Sequence, residues 1–187
     1  DVQVDPIDAA EAIWGGYENR PLLTTGGDRA AYVPDTDQIM MPERDRFDSS
    51  EAYYSTLFHE LTHSTGHPRR LGRFSADRWA KFGSETYSRE ELVAEMGAAF
   101  LASEAGIDTE GLTENTAAYI ASWIRALKDD PRMVVIAAAQ AQKAVDLILG
   151  NSIDGAVPTA DTRQIAAPRN SMLAGTSKQR YAARSTR

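Results

Sequence analysis

The chain has 187 residues, with 20 Lys and Arg against 27 Asp and Glu, a formal charge of -7, 42% hydrophobic residues and no cysteine. Such a length and apolar fraction suit one domain with a hydrophobic core, and the missing cysteine excludes disulfides, thiolate metal sites, iron–sulfur clusters and thiol nucleophiles. Three His residues are left for metal or base chemistry. No apolar run approaches the roughly 18–20 residues of a membrane span and no charged-then-apolar leader opens the chain, so the expectation is a cytoplasmic protein with no membrane partner. The start at Asp1, without Met, suits a piece of a longer protein.

Charge divides the chain in two. Residues 1–150 hold 14 basic and 25 acidic side chains, whereas 151–187 hold six basic and two acidic ones in a stretch rich in Ser, Thr, Ala, Gly and Pro. The expectation is a domain over 1–150 followed by a basic, flexible tail over 151–187.

Asp5-Pro6 has the form of a helix start, and Ala9, Ala10, Ile13 and Trp14 give a short helix over about 6–14 before Gly15-Gly16. Short apolar stretches from Pro21 to Met41, broken by Gly26-Gly27 and by Pro34-Asp35-Thr36-Asp37, predict a small antiparallel sheet built on a hairpin. Asp48 with Glu51 three residues later has the capping-box spacing and opens a helix over about 49–65, which ends at Gly66 and Pro68. A short helix is expected over about 76–82, and Ser88 opens a strongly periodic one over about 89–105. Two more follow: one to Lys128 carrying Tyr119, Ile120, Trp123, Ile124 and Leu127, and one from Asp130-Pro131 to Gly150 carrying Val134, Val135, Ala138, Val145, Ile148 and Leu149. The fold class is α+β, a small antiparallel sheet with a helical bundle.

The residues that carry chemistry are His59-Glu60-Leu61-Thr62-His63, inside the helix over 49–65. Positions i and i+4 share a helical face, so both imidazoles can reach one ion while Glu60 stands beside its open position, the HExxH signature of zincins. A catalytic zinc site takes three protein ligands and a water. A metzincin would place its third ligand at position 69, which is Arg69 here, and His67 lies where the helix has turned away, so His67 is assigned a substrate-side or capping role. The remaining donors are the carboxylates Glu91 and Glu95, one turn apart on the helix over about 89–105, with Ala94, Gly97 and Ala98 small enough for close approach.

This arrangement resembles the gluzincins, in which a Glu on a second helix is the third ligand and a residue four positions later steadies a ligating His. On that pattern Glu91 binds metal and Glu95 fixes an imidazole. Ser88-x-x-Glu91 also has capping-box spacing, which would turn Glu91 away and leave Glu95 as ligand; both assignments stand at this stage. Glu90 reads as part of a solvated acidic helix start.

The stretch Tyr53 to His67, followed by Arg70-Leu71, Phe82-Gly83 and Glu90-Glu91-Leu92-Val93-Ala94-Glu95-Met96-Gly97-Ala98-Ala99-Phe100-Leu101, resembles the zincin-like metallopeptidase domain of ArdC-type antirestriction proteins and of phage and plasmid polyvalent proteins. The resemblance covers about residues 6–149 and implies a zincin fold with the HExxH helix at its centre. It also implies a Zn2+ cofactor on His59, His63 and Glu91, with Glu60 as general base in peptide-bond hydrolysis of a protein or peptide substrate. His67, Tyr87, Arg69 and Arg70 are the candidates for substrate binding or oxyanion stabilisation. Members of the family commonly carry an N-terminal single-stranded-DNA-binding domain, so DNA association through such a domain or through the basic tail is a further expectation. The competing function is an antirestriction or DNA-associated binding module whose metal is structural or vestigial.

Overall fold

The computed structural model describes residues 4–74, 85–108 and 132–151. In chain order these form α1 (Asp8–Gly16), β1 (Leu22–Thr25), β2 (Ala31–Val33), β3 (Gln38–Met41), a 3-10 turn (Arg44–Arg46), α2 (Ser50–Ser64), α3 (Glu85–Glu104) and α4 (Arg132–Leu149). The expected helices over 76–82 and over 113–128 lie outside the described residues, as does the basic tail from 152 onward. No described helix is long and apolar enough to cross a membrane.

The α+β class holds, with one correction to the sheet. β2 and β3 form the expected antiparallel hairpin, Tyr32 opposite Ile39, but β1 pairs with β3 in parallel, Leu23 opposite Ile39, giving the order β1-β3-β2 and a mixed sheet. The chain crosses from one edge to the other between Thr25 and Ala31, so β3, whose Ile39 and Met41 are fully buried, becomes the central strand. The hairpin turn requires positive φ at Asp37 (52°), a conformation that Asp tolerates better than most residues.

α2 is the axis of the molecule. From Tyr53 to Ser64 nearly every side chain is buried, so the helix is enclosed rather than laid on a surface. Apolar Tyr54, Leu57, Phe58 and Leu61 anchor it in the main core. Three of its hydroxyls bond back to helix carbonyls, Thr56 Oγ1 to Ala52 O at 2.8 Å, Thr62 Oγ1 to Phe58 O at 2.8 Å and Ser64 Oγ to Leu61 O at 2.6 Å, which offsets the cost of enclosing them. The N-cap is Ser49, whose Oγ accepts from the Ala52 amide at 3.2 Å; the expected Asp48 cap is displaced by one residue.

Two other boundaries and one helix face differ from the sequence expectation. α1 begins at Asp8 after an extended Ile7 and has no side-chain cap, so Pro6 precedes the helix instead of opening it. α3 begins at Glu85, four residues early, which places Ser88 inside the helix and dissolves the capping box that would have turned Glu91 away. α4 buries Met133, Ala137, Ala141, Ala144, Val145 and Ile148, a stripe at helical spacing that leaves Val135, expected inward, 70% exposed.

α3 packs on both α2 and α4 and thereby carries its acidic turn to the HExxH helix. Gly97 is the close-approach point: a Cβ there would lie 2.5 Å from Thr62 Cγ2, so only glycine admits this spacing. After α2 the chain doubles back, the Phe74 amide bonding Gly66 O at 2.9 Å, and a Cβ on Gly66 would enter the Phe74 ring at 2.6 Å.

Candidate metal centre

One helical turn of α2 separates His59 from His63, and their Nε2 atoms meet at 3.0 Å. Glu91, presented from α3, places Oε1 3.5 Å from His63 Nε2 and Oε2 3.7 Å from His59 Nε2. The three residues offer donor atoms that all lie within 4.8 Å of one another. A tetrahedral ion with bonds of about 2.0–2.1 Å to N and O donors needs donor–donor separations of roughly 3.3 Å, so this set has the spacing of a shared first shell.

Behind the imidazoles stands a second row of carboxylates. His59 Nδ1 lies 3.3 Å from Glu95 Oε1, and His63 Nδ1 lies 3.5 Å from Glu90 Oε1. A proton on each Nδ1, facing its carboxylate, leaves each Nε2 with its lone pair directed at the other. In that tautomer a cation held between the two Nε2 atoms, 3.0 Å apart, would be coordinated by both lone pairs, the place that a shared Nε2 proton takes without it. The donor set therefore fits a divalent metal on its own chemistry.

Glu90 is the residue that the sequence reading misplaced. It is not a solvated helix start: its side chain is 18% exposed and is gripped by Arg73, with Nη2 to Oε1 at 2.7 Å and Nε to Oε2 at 3.0 Å. Arg73 in turn bonds Thr65 Oγ1 at 2.8 Å and Thr62 O at 3.0 Å at the end of α2. The signal available in sequence was the adjacency of Glu90 and Glu91. The two point about 100° apart on a helix, enough for one to face a metal and its neighbour to reach the back of an imidazole.

The field at the centre is strongly negative. Burial disfavours the imidazolium of His59, yet the Glu95 carboxylate outweighs it and raises the pKa. Burial likewise opposes charge on His63, whose pKa Glu90 and Glu91 push up to about 10. Burial would raise the Glu90 carboxyl too, but Arg73 and then His63 hold it below the usual range. An environment that draws protons onto two buried imidazoles draws a divalent cation for the same reason. Glu60, buried beside the pair, is raised by desolvation and accepts the Tyr32 amide at Oε2 over 2.7 Å, which ties it to strand β2.

The remaining candidates fall elsewhere. His67 sits on the turn after α2, its Nδ1 accepting from the Arg69 amide at 3.1 Å. Arg69 is an exposed partner of Asp37 at 2.9 Å. The Arg70 guanidinium is engaged by Asp37, by Ser64 O at 3.1 Å and by Asn19 O at 2.7 Å, so it staples the hairpin to the end of α2. The Tyr87 side chain lies outside the described ones.

An HExxH helix enclosed by core, with a glutamate supplied by a neighbouring helix, defines the zincin class. The chain belongs to the zincin-like metallopeptidase family, whose profile matches residues 10–140. It is 41% identical over 153 residues to a DNA primase TraC of Escherichia coli, covering 77% of this chain and 14% of that protein. A second Escherichia coli TraC is 49% identical over 128 residues, covering 68% and 8%. The crystal structure of Mn(II)-bound antirestriction protein ArdC from the R388 plasmid superposes with a TM-score of 0.65 at 39% identity, covering 82% of this chain and 56% of that one. The metal-free ArdC structure gives 0.57 at 42% identity, covering 78% and 50%. The chain thus spans about half the length of ArdC and a small fraction of the TraC proteins.

Proposed function

We propose that this domain is a zinc-dependent peptidase in which His59, His63 and Glu91 hold the ion and Glu60 is the general base. The observation that carries the reading is the convergence of two imidazole Nε2 atoms and one carboxylate at 3.0–3.7 Å beside a fourth, buried acid. A divalent ion supplies Lewis-acid activation of water and of a substrate carbonyl when bound. Glu60 supplies proton transfer. Its Oε2 is fixed by the Tyr32 amide, so Oε1 is the oxygen left to take a proton from the attacking water and deliver it to the leaving amine. Burial raises its pKa above the usual carboxylate value, which makes it a stronger base than an exposed glutamate.

A second reading is an antirestriction or DNA-associated module, with the metal serving structure. Two facts favour keeping it: similarity to an antirestriction protein and to DNA primases, and the excess of six basic over two acidic residues in 151–187, which suits phosphate contacts. The substitution Glu60→Gln separates the readings. For the peptidase, zinc stoichiometry by atomic absorption is retained while cleavage of a casein or peptide-library substrate falls by about 10²–10⁴-fold. An undiminished effect of the variant on restriction in cells assigns the function to the binding role.

A further inference from the structure

The two ligating-type imidazoles are supported in unlike ways. His59 is backed by Glu95, presented one turn beyond Glu91 on α3. His63 is backed by Glu90, and Glu90 is held by an arginine in a two-point contact, Arg73 Nη2 to Oε1 and Nε to Oε2. Arg73 is itself anchored to Thr62 O and Thr65 Oγ1, one residue before and two after His63. The guanidinium therefore spans the end of α2 and the acidic turn of α3, and it fixes the carboxylate relative to the helix that carries the imidazole. A planar, always-charged fork suits this task, because both carboxylate oxygens are held in one orientation.

We infer that Glu90 and Arg73 are a positioning pair for His63, setting its Nδ1–H tautomer and ring orientation so that Nε2 faces the metal. Without the arginine, Glu90 would lose the two-point contact that fixes its orientation and would be left beside Glu91 and the His63 ring, free to rotate away from Nδ1. With it, Oε1 stays 3.5 Å from His63 Nδ1 and the opposite nitrogen remains the donor. The inference rests on the metal-site reading, which assigns His63 Nε2 as a ligand.

The test uses Glu90→Ala and Arg73→Met in the full chain. Zinc affinity is measured by competition with a chromogenic chelator, and the His63 tautomer is read from long-range 1H–15N correlation spectra of zinc-free protein. At alkaline pH, where the raised His63 ring becomes neutral, wild type should show a single tautomer with the proton on Nδ1. Glu90→Ala should mix the tautomers and weaken zinc binding by about 10–100-fold, the usual penalty for losing an outer partner of a metal histidine. Arg73→Met should change both readouts in the same direction and to a smaller extent, and Glu90→Asp should recover part of the loss. Zinc affinity within twofold of wild type and an unchanged tautomer in both Glu90→Ala and Arg73→Met overturn the inference. If wild type and His59→Ala alike bind no zinc, the metal reading fails by itself, while the tautomer spectra still decide whether Glu90 orients His63. A folding defect is recognised by loss of dispersed methyl signals; Glu90→Gln, which keeps the shape and an acceptor but removes the charge, then replaces Glu90→Ala.

Discussion

Two polar clusters border the C-terminal half of α2, and they differ in how their charges close. In the hairpin staple, Asp37 stands between Arg69 and Arg70 and also accepts the Tyr32 hydroxyl, so each buried charge meets its opposite within the cluster. In the metal centre, Glu60, Glu90, Glu91 and Glu95 surround two imidazoles, and Arg73 engages Glu90 at their edge. A cluster that closes its own charge is a fastener. A cluster that converges two imidazoles and a carboxylate on one point has the donor geometry of a cation site.

The largest effect that would break this distinction is a failure of double dissociation. His59→Ala should reduce bound zinc from one ion per chain to near zero. Arg70→Met should leave zinc stoichiometry intact and lower the unfolding free energy by about 1–3 kcal/mol, since it removes the buried partner of Asp37, which keeps the exposed Arg69 and the Tyr32 hydroxyl, and leaves Asn19 O and Ser64 O without their donor. Urea titrations with zinc analysis of the same samples check both. Loss of zinc in Arg70→Met would merge the two clusters into one functional unit.

The clusters should also separate by pH in chelator-treated protein. Burial opposes ionisation of Asp37, but its hydrogen bonds from Arg70 and Tyr32 lower its pKa, so its contribution is present above the ordinary carboxylate value and disappears as pH falls through the lowered one. His63 is raised to about 10, so its contribution is complete below the ordinary imidazole value and is lost as pH rises through about 10. Thermal melts should therefore show an acid limb that Arg70→Met removes and an alkaline limb that His63→Ala removes. Zinc should abolish the alkaline limb, because metal binding requires the imidazoles deprotonated.

What the sequence made legible follows the range over which each contact is set. His59, Glu60 and His63 are joined by helical spacing, and Glu91 with Glu95 by one turn of another helix, so local periodicity was enough to name them. Which imidazole nitrogens Glu91 and Glu95 lie near depends on the start of α3, which the apparent cap at Ser88 placed four residues late. Glu90 was misread because its partner Arg73 lies 17 residues away, beyond the reach of helical spacing. Arg70 looked like a substrate contact for the same reason: its partners Asp37 and Asn19 belong to the far side of the sheet region. The parallel pairing of β1 with β3 escaped notice because a strand's own pattern carries no mark of its neighbour's direction.

The smallest expected effect probes how tightly the metal centre depends on helix approach. At Gly97 an added Cβ meets Thr62 Cγ2 at 2.5 Å and Oγ1 at 2.7 Å, and Thr62 Oγ1 is already committed to Phe58 O. Gly97→Ala must move α3 away from α2 or rotate Thr62, at a cost of about 1–3 kcal/mol in stability. Because the imidazoles ride on α2 and Glu91 on α3, the same shift lengthens the carboxylate-to-imidazole separations and should weaken zinc binding, while the Asp37–Arg70 staple, which involves no residue of α3, keeps its acid limb. Denaturant titration and chelator competition on the one variant distinguish the outcomes. Lower stability with unchanged zinc affinity would mean that the Glu91 side chain absorbs the displacement, and that the centre tolerates more variation in helix spacing than its donor distances imply.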